Sequence, residues 1–145
     1  MTKVDSNYKK TEKALYDYKF LKGYIELRKK DLAELDYQGV SATRLSLAKS
    51  DNRKISDPVG DEFESLERIK ETWGKEIKIK ENVISSIDYA ISLLDDGERK
   101  IVEMKYKKCI RYKDIASFLG YSERQIIRIN KRIIEKVGIV LFGIE

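Results

Sequence analysis

Apolar residues recur at alternating spacings of three and four along two long stretches of the chain, a pattern typical of helices with one apolar face. The first stretch runs from Tyr8 to about Tyr37. Its seam positions are Ala14, Tyr18, Leu21, Ile25, Arg28, Leu32 and Leu35. The second stretch runs from Asp61 to about Leu94. Its seam positions are Leu66, Trp73, Ile77, Lys80, Ile84, Ile87, Ile91 and Leu94. Each stretch predicts a long helix with a coiled-coil-like seam that one cation interrupts, Arg28 or Lys80.

A segment rich in serine, aspartate, asparagine and glycine separates these helices at residues 38–60, and it contains the only proline. This composition favours a loop, either a solvated linker or a basic contact to DNA or a partner. We expect the two helices to form a long antiparallel hairpin with loop 38–60 at its tip, as a first domain of residues 1–95. The alternative is pairing of the same seams between two chains, which predicts a homodimer through the helical half.

Residues 96–145 have the pattern of a second domain, a helix-turn-helix. The apolar face of its first helix consists of Ile115, Ala116 and Leu119. Gly120 follows, and glycine readily takes the left-handed conformation in which many helices end. Ser122 then supplies a side-chain oxygen that caps the next helix, which is predicted over residues 123–137 with Ile126, Ile129 and Ile133 on one face. The whole chain is therefore predicted to be all-α.

The helix over 123–137 has the composition of a recognition helix in the major groove, because its other positions are basic or polar. The predicted DNA-binding residues are Arg111, Lys113, Ser122, Glu123, Arg124, Gln125, Arg128, Lys131 and Arg132. Arginine can bridge guanine O6 and N7, and glutamine can bridge adenine N6 and N7. We therefore expect base contacts from Arg124, Gln125 and Arg128, which lie in the first two turns. The cations further along this helix, and those at the start of the preceding one, are expected to meet phosphates.

Ile127 has two interpretations, a contact with a thymine methyl group or packing beside Ile134. Cys109 lies among cations that would favour a thiolate, but we expect it to be a small buried side chain without a redox role.

The charge distribution supports DNA binding by the C-terminal segment. Residues 97–145 contain 12 lysines and arginines against 6 acidic residues, a net charge of +6. Residues 61–96 contain 5 against 10, a net charge of −5. Because the whole chain has a net charge of only +5, the positive field is concentrated on the predicted helix-turn-helix.

Several kinds of chemistry are excluded by composition. The chain has no histidine and one cysteine, which excludes disulfides within the chain, Cys/His zinc sites and Ser-His-Asp triads. The glycines are too scattered for a phosphate-binding loop. We therefore predict a protein that is not an enzyme, with no catalytic residue, metal or cofactor. The N-terminus lacks the apolar core of a signal peptide and no apolar run is long enough to span a membrane, so we expect a cytoplasmic location.

The segment from Ile87 to Val137 resembles the sigma-factor region-four fold. The residues that carry the resemblance are Tyr106, Tyr112, Ile115, Ala116, Leu119, Gly120, Tyr121, Ser122, Arg124, Arg128 and Ile129. The whole layout, two long helices around a serine-rich loop followed by this module, resembles the phage transcriptional regulators of the RinA/ArpU type. Ile127 and Glu123 depart from the pattern of sigma-like recognition helices, which leaves the base preference open.

The resemblance implies a phage or prophage activator of late genes, those for packaging, morphogenesis or lysis. It would act in the bacterial host cell, associated with the nucleoid when bound, with double-stranded DNA as its target and RNA polymerase as a candidate partner. Three rivals remain open: a small-terminase-like DNA-packaging protein, a true sigma-like factor, and a helical interaction protein without DNA binding.

Overall fold

A computed structural model of the chain describes residues 3–38 and 58–143, and these residues are all-helical, with no strand among them. The helices are α1 (Lys3–Gln38), α2 (Pro58–Ser92), α3 (Asp96–Val102), α4 (Tyr112–Leu119) and α5 (Glu123–Phe142). A π-helical turn, Glu103–Lys107, follows α3 directly. The predicted all-α class is therefore confirmed. None of the described helices combines the length and the apolarity that crossing a membrane requires.

Both long helices begin earlier than predicted. Helix α1 begins at Lys3 rather than near Tyr8, and α2 begins at Pro58 rather than at Asp61. Proline suits the first helical position, because its fixed φ is already helical and the amide hydrogen it lacks would have no partner there. Residues 39–57 of the predicted loop 38–60 lie outside the described residues.

Most of the predicted seam residues are buried, and at two positions a neighbouring residue is buried instead. The seam residues that are buried are Tyr18, Ile25, Leu35, Leu66, Ile77, Ile84, Ile87 and Leu94. Leu15 is buried while Ala14 is half-buried, and Ala90 is buried while Ile91 is half-buried. In both places a neighbour of the predicted residue is the more completely buried of the two, because a helix of 3.6 residues per turn drifts from a seven-residue repeat.

Helix α5 corrects the prediction most clearly, because it continues past Val137 to Phe142. The predicted end at Val137 lies directly before Gly138, and glycine weakens a helix. In the structure Gly138 is buried inside α5, and a Cβ built on it would lie 3.0 Å from Oγ1 of Thr11 on α1. The glycine therefore permits a close approach of α1 to α5. The helix ends instead at Gly143, whose φ of 62° is left-handed.

Capping and a π-helical turn define the segment before α4. Asp95 caps α3 in a reciprocal arrangement with Glu98, whose carboxylate also accepts a hydrogen bond from Lys136 Nζ on α5 at 2.8 Å. The π-helical turn closes with the hydrogen bond from Lys108 N to Glu103 O, at 3.0 Å. Cys109 follows with a φ of 54°, and its side chain is exposed. The expectation of a small buried cysteine is therefore wrong, because the left-handed backbone turns this residue out to solvent.

The described residues group into two compact units. The larger unit contains the residues up to Leu21 and those from Asn82 onward, and the smaller unit contains Lys22–Glu81. In the larger unit the first half of α1 and the end of α2 therefore group with α3, α4 and α5. Whether residues 96–145 fold as a domain by themselves stays a prediction.

In the smaller unit, parts of α1 and α2 lie side by side. Tyr24 donates a hydrogen bond to Glu76, and Lys70 Nζ lies 2.6 Å from Oδ1 of Asp36. The contacts follow opposite orders along the two helices, so these segments are antiparallel within this unit. The predicted hairpin over the whole of residues 1–95 stays a prediction.

Candidate nucleic-acid interface

Helix α5 separates a buried face from a basic exposed face. Ile126, Asn130, Ile133, Ile134 and Val137 are buried. Four cations, Arg124, Arg128, Lys131 and Arg132, are exposed on the opposite side. At 100° per residue their directions fall within an arc of about 100°, which we call the basic stripe. None of the four has a hydrogen bond or ion pair with the described residues.

The turn before α5 has the conformation that the sequence predicted. Gly120 takes a left-handed φ of 79°, and Ser122 Oγ accepts a hydrogen bond from Gln125 N at 3.1 Å. Gln125 completes the capping box, because its Oε1 accepts a hydrogen bond from Ser122 N at 2.9 Å. If Gln125 contacts an adenine, its Oε1 must either accept a second hydrogen bond or give up the one from Ser122 N. The geometry therefore assigns Gln125 a capping role that the sequence prediction did not include.

The start of α4 brings two further predicted phosphate ligands to the surface of the larger unit. Arg111 is the residue before the first turn of α4, and its Nε lies 3.1 Å from Oδ2 of Asp114 in an exposed ion pair. Lys113 is exposed in the first turn, as Glu123 is in the first turn of α5. Surface ion pairs of this kind contribute between about 0 and 1 kcal/mol, so Arg111 can exchange its carboxylate for a phosphate.

Ile127 lies beside the basic stripe and is 45% exposed, whereas Ile134 is buried. Packing of Ile127 beside Ile134, one of its two interpretations, does not describe the free protein. An exposed β-branched residue at this place remains available for an apolar contact such as a thymine methyl group.

A buried polar network lies behind the basic stripe. The Asn130 amide is fully buried, and its Nδ2 lies 2.8 Å from the Tyr106 hydroxyl and 2.9 Å from the Tyr112 hydroxyl. The Tyr106 hydroxyl in turn lies 2.9 Å from Oε2 of Glu12 on α1. The Tyr16 ring packs edge-on against Tyr106, with 4.7 Å between ring centroids. The network thus joins α1, the π-helical turn, α4 and α5.

The electrostatics of this network keep its phenols neutral. Burial raises the pKa of Tyr106 far above its usual value, and the nearby carboxylate of Glu12 raises it further, although the hydrogen bond from Asn130 opposes both. Burial, together with Tyr8 and Glu12, raises the pKa of Tyr112 to about 12. Burial and Glu12 also raise the pKa of Tyr8. All three hydroxyls therefore keep their protons as hydrogen-bond donors at neutral pH.

Sequence reasoning missed this network, although part of it left a signal. Asn130 follows Ile126 by four residues and precedes Ile133 by three, so an amide occupies the apolar face of α5. A buried polar side chain needs partners, which makes such a position informative. Glu12 left no signal of this kind, because it belongs to a helix that the sequence assigned to a separate domain.

A cavity of about 340 Å³ lies between the start of α1 and the second half of α5. Its lining residues are Asp5, Asn7, Tyr8, Thr11, Lys131, Ile134, Glu135, Gly138 and Ile139. Of the basic stripe only Lys131 reaches it. Within the described part of the chain, no group of three or more acidic or cysteine side chains is placed to hold a metal ion.

Comparison with protein-family models, with curated proteins and with solved structures gives no match to this chain. The function is therefore inferred from the residues and their geometry.

Proposed function

We propose that this chain is a sequence-specific double-stranded DNA-binding transcriptional regulator that reads the major groove with the first half of α5. The observation that carries the proposal is the basic stripe, in which four exposed cations have no partner among the described residues. Clustered cations that form no ion pair repel one another, and a phosphate backbone supplies negative charge to all of them. An α-helix fits the major groove, and the N-terminal part of a recognition helix meets the base edges.

The stripe supports a division of labour along α5. Arg124 and Arg128 lie in its first two turns, so we assign them the contacts to base edges. Lys131 and Arg132 lie further along, and we assign them contacts to the phosphate backbone together with Arg111 and Lys113. Glu135 follows the stripe on the same exposed side, and its negative charge marks the end of the DNA-facing part.

The resemblance to phage regulators of the RinA/ArpU type supports a more specific role, an activator of late phage or prophage genes in the bacterial host cell. Such an activator would recruit RNA polymerase or occupy a promoter-like site. A homodimer through the helical half would carry two copies of α5, and dimers of this kind bind half-sites about 34–36 Å apart, one turn of DNA, or multiples of it.

The proposal is tested by selecting bound duplexes from a random DNA pool and measuring affinities by fluorescence anisotropy at several salt concentrations. We expect one enriched site. Arg124→Ala should weaken binding to that site by about 1–3 kcal/mol and relax its sequence, because one base contact is lost. Lys131→Ala should weaken selected and scrambled duplexes alike and reduce the slope of log K against log salt by about 1.

Lys78→Ala is the matched control, because it removes the same charge from an exposed site in the smaller unit. Absence of binding to any duplex at low salt would overturn the proposal in favour of a helical interaction protein. A solution mass that corresponds to a ring of about eight or more chains would favour the small-terminase-like alternative.

A further inference from the structure

The hydrogen bonds around Asn130 lead to a carboxylate, which is the strongest acceptor among them. The Tyr106 hydroxyl carries one proton, and it lies 2.9 Å from Oε2 of Glu12 and 3.2 Å from Oδ1 of Asn130. A carboxylate is the stronger acceptor, so the proton points to Glu12. The Tyr106 oxygen is then free to accept from Asn130 Nδ2, whose second hydrogen reaches Tyr112. The hydrogen bonds therefore run in one direction, from α5 to the carboxylate on α1.

This network restrains α5 in a way that its apolar contacts cannot. Isoleucine side chains tolerate small rotations and shifts of a helix, whereas two hydrogen bonds, of 2.8 Å to the Tyr106 hydroxyl and 2.9 Å to the Tyr112 hydroxyl, hold the Asn130 amide in one orientation. Asn130 lies two residues after Arg128 and six after Arg124, or about 3 Å and about 9 Å along the helix axis. Any rotation of α5 at Asn130 therefore moves both arginines.

We propose that Asn130, Tyr106 and Glu12 are positioning residues, which fix the rotation of α5 and so determine which base edges Arg124 and Arg128 reach. The inference rests on the proposed DNA-binding function. Asn130 and Tyr106 are buried, so they act on recognition without touching DNA. Binding groups must be held within about 0.5 Å and about 10–20° of their productive geometry, and apolar packing alone does not hold a surface arginine so closely.

Positioning and stabilisation can be separated by experiment. Removing one partner from a buried hydrogen bond leaves the other unsatisfied, whereas replacing both with apolar groups of similar shape is often nearly neutral for stability. Tyr106→Phe removes one partner, and Tyr106→Phe with Asn130→Leu removes both. Tyr112 and Glu12 are half-buried, so their oxygens can turn to water in the double variant. Tyr89→Phe is the matched control, since it removes a hydroxyl from an exposed tyrosine of the same unit.

The experiment measures dissociation constants for the selected duplex and a scrambled duplex at one salt concentration, together with urea unfolding. We expect Tyr106→Phe to unfold at a lower urea concentration and the double variant to recover most of that loss. Discrimination is the dissociation constant for the scrambled duplex divided by that for the selected duplex. It should nevertheless fall in the double variant by at least about fivefold, which is the discrimination that one bidentate base contact provides. Binding to the scrambled duplex should stay unchanged, because the basic stripe is intact. Tyr89→Phe should match the wild type in all these measurements.

Glu12 provides a second test that does not depend on the stability of a core variant. Without its carboxylate the Tyr106 proton turns to Oδ1 of Asn130, so the network loses its direction. Glu12→Ala should therefore reduce discrimination, whereas Glu12→Gln, which keeps an acceptor oxygen, should largely restore it. Equal discrimination in Glu12→Ala and the wild type, or full discrimination in a folded double variant, would overturn the positioning role alone. A wild-type protein that does not discriminate between the duplexes would overturn the proposed function and this inference together.

Discussion

Asn130 in the larger unit and Arg28 in the smaller unit are both polar side chains at apolar positions of a helix, and they are accommodated in different ways. In the larger unit the Asn130 amide is fully buried and both its Nδ2 hydrogens have acceptors. In the smaller unit the Arg28 side chain keeps 26% of its surface exposed. Its guanidinium lies 4.6 Å from the centre of the Trp73 ring and 5.1 Å from that of Tyr24, and its buried Nε has no hydrogen-bond partner.

The two kinds of interaction differ in how strictly they fix the direction between the groups that make them. Hydrogen bonds weaken steeply when they are bent, so the amide of Asn130 permits one arrangement of its neighbours. A cation above aromatic rings is attracted over a range of positions within about 6 Å, so Arg28 tolerates small shifts of the helices around it. We infer that the larger unit holds a defined geometry, as base reading requires, while the smaller unit needs only a helical contact.

Alkaline pH should lower the stability of the larger unit, and this effect should be larger than those of the substitutions below. The folded state raises the pKa of Tyr106 above its usual 10.0, so its contribution to stability is fully present below pH 10 and is lost as pH rises above it, when the unfolded chain ionises first. The free energy of unfolding should fall by up to about 1.4 kcal/mol per pH unit above pH 10 from this one residue. Urea unfolding followed by circular dichroism between pH 8 and about pH 11 measures it.

Lysines also titrate in this range, so the informative quantity is the difference in slope between the wild type and Tyr106→Phe. The variant should be less stable at neutral pH but lose less stability above pH 10. Parallel curves would show that the Tyr106 phenol ionises as easily in the folded chain as in the unfolded one.

Replacing one glycine of each unit with alanine should change the stability of the protein in opposite directions. Gly74 and Gly138 both lie inside helices, but a Cβ on Gly74 would have no atom within 4 Å, whereas one on Gly138 would lie 3.0 Å from Thr11 Oγ1. Gly74→Ala should therefore stabilise the protein by up to about 1 kcal/mol through helix propensity. Gly138→Ala should destabilise it by about 1 kcal/mol or more, because Thr11 is buried and bonded to Asn7 O and cannot move aside.

Midpoints of urea unfolding give both values. Thr11→Ala combined with Gly138→Ala removes the clash and serves as the control, so it should recover part of the loss. A stabilising Gly138→Ala would mean that α1 can move away from α5 at little cost, contrary to the close packing of the larger unit.

The same residues explain how much the sequence could predict. The all-α class, the cap at Ser122, the turn at Gly120 and the exposed cations of α5 follow from local patterns, because each depends on residues within one or two turns. Gly138 and Asn130 could not be interpreted in this way. Glycine inside a helix and an amide on an apolar face both look unfavourable until α1 supplies Thr11 and Glu12 from more than a hundred residues away in sequence. The contribution of α1 to the candidate interface depends on these distant contacts, which no local pattern encodes.

Replacing the Arg28 cation should have the smallest effect. Arg28→Met keeps an apolar stem between Tyr24 and Trp73 but removes the charge and the unsatisfied Nε. The lost cation–π contacts and the partly buried ion pair with Asp31 are each worth about 1 kcal/mol or less, and the desolvation that is avoided offsets them. We expect the free energy of unfolding to change by less than about 1 kcal/mol, with Lys80→Met as the control at the other seam cation. A loss above about 2 kcal/mol would show that Arg28 is held as specifically as Asn130, and the contrast between the two units would disappear.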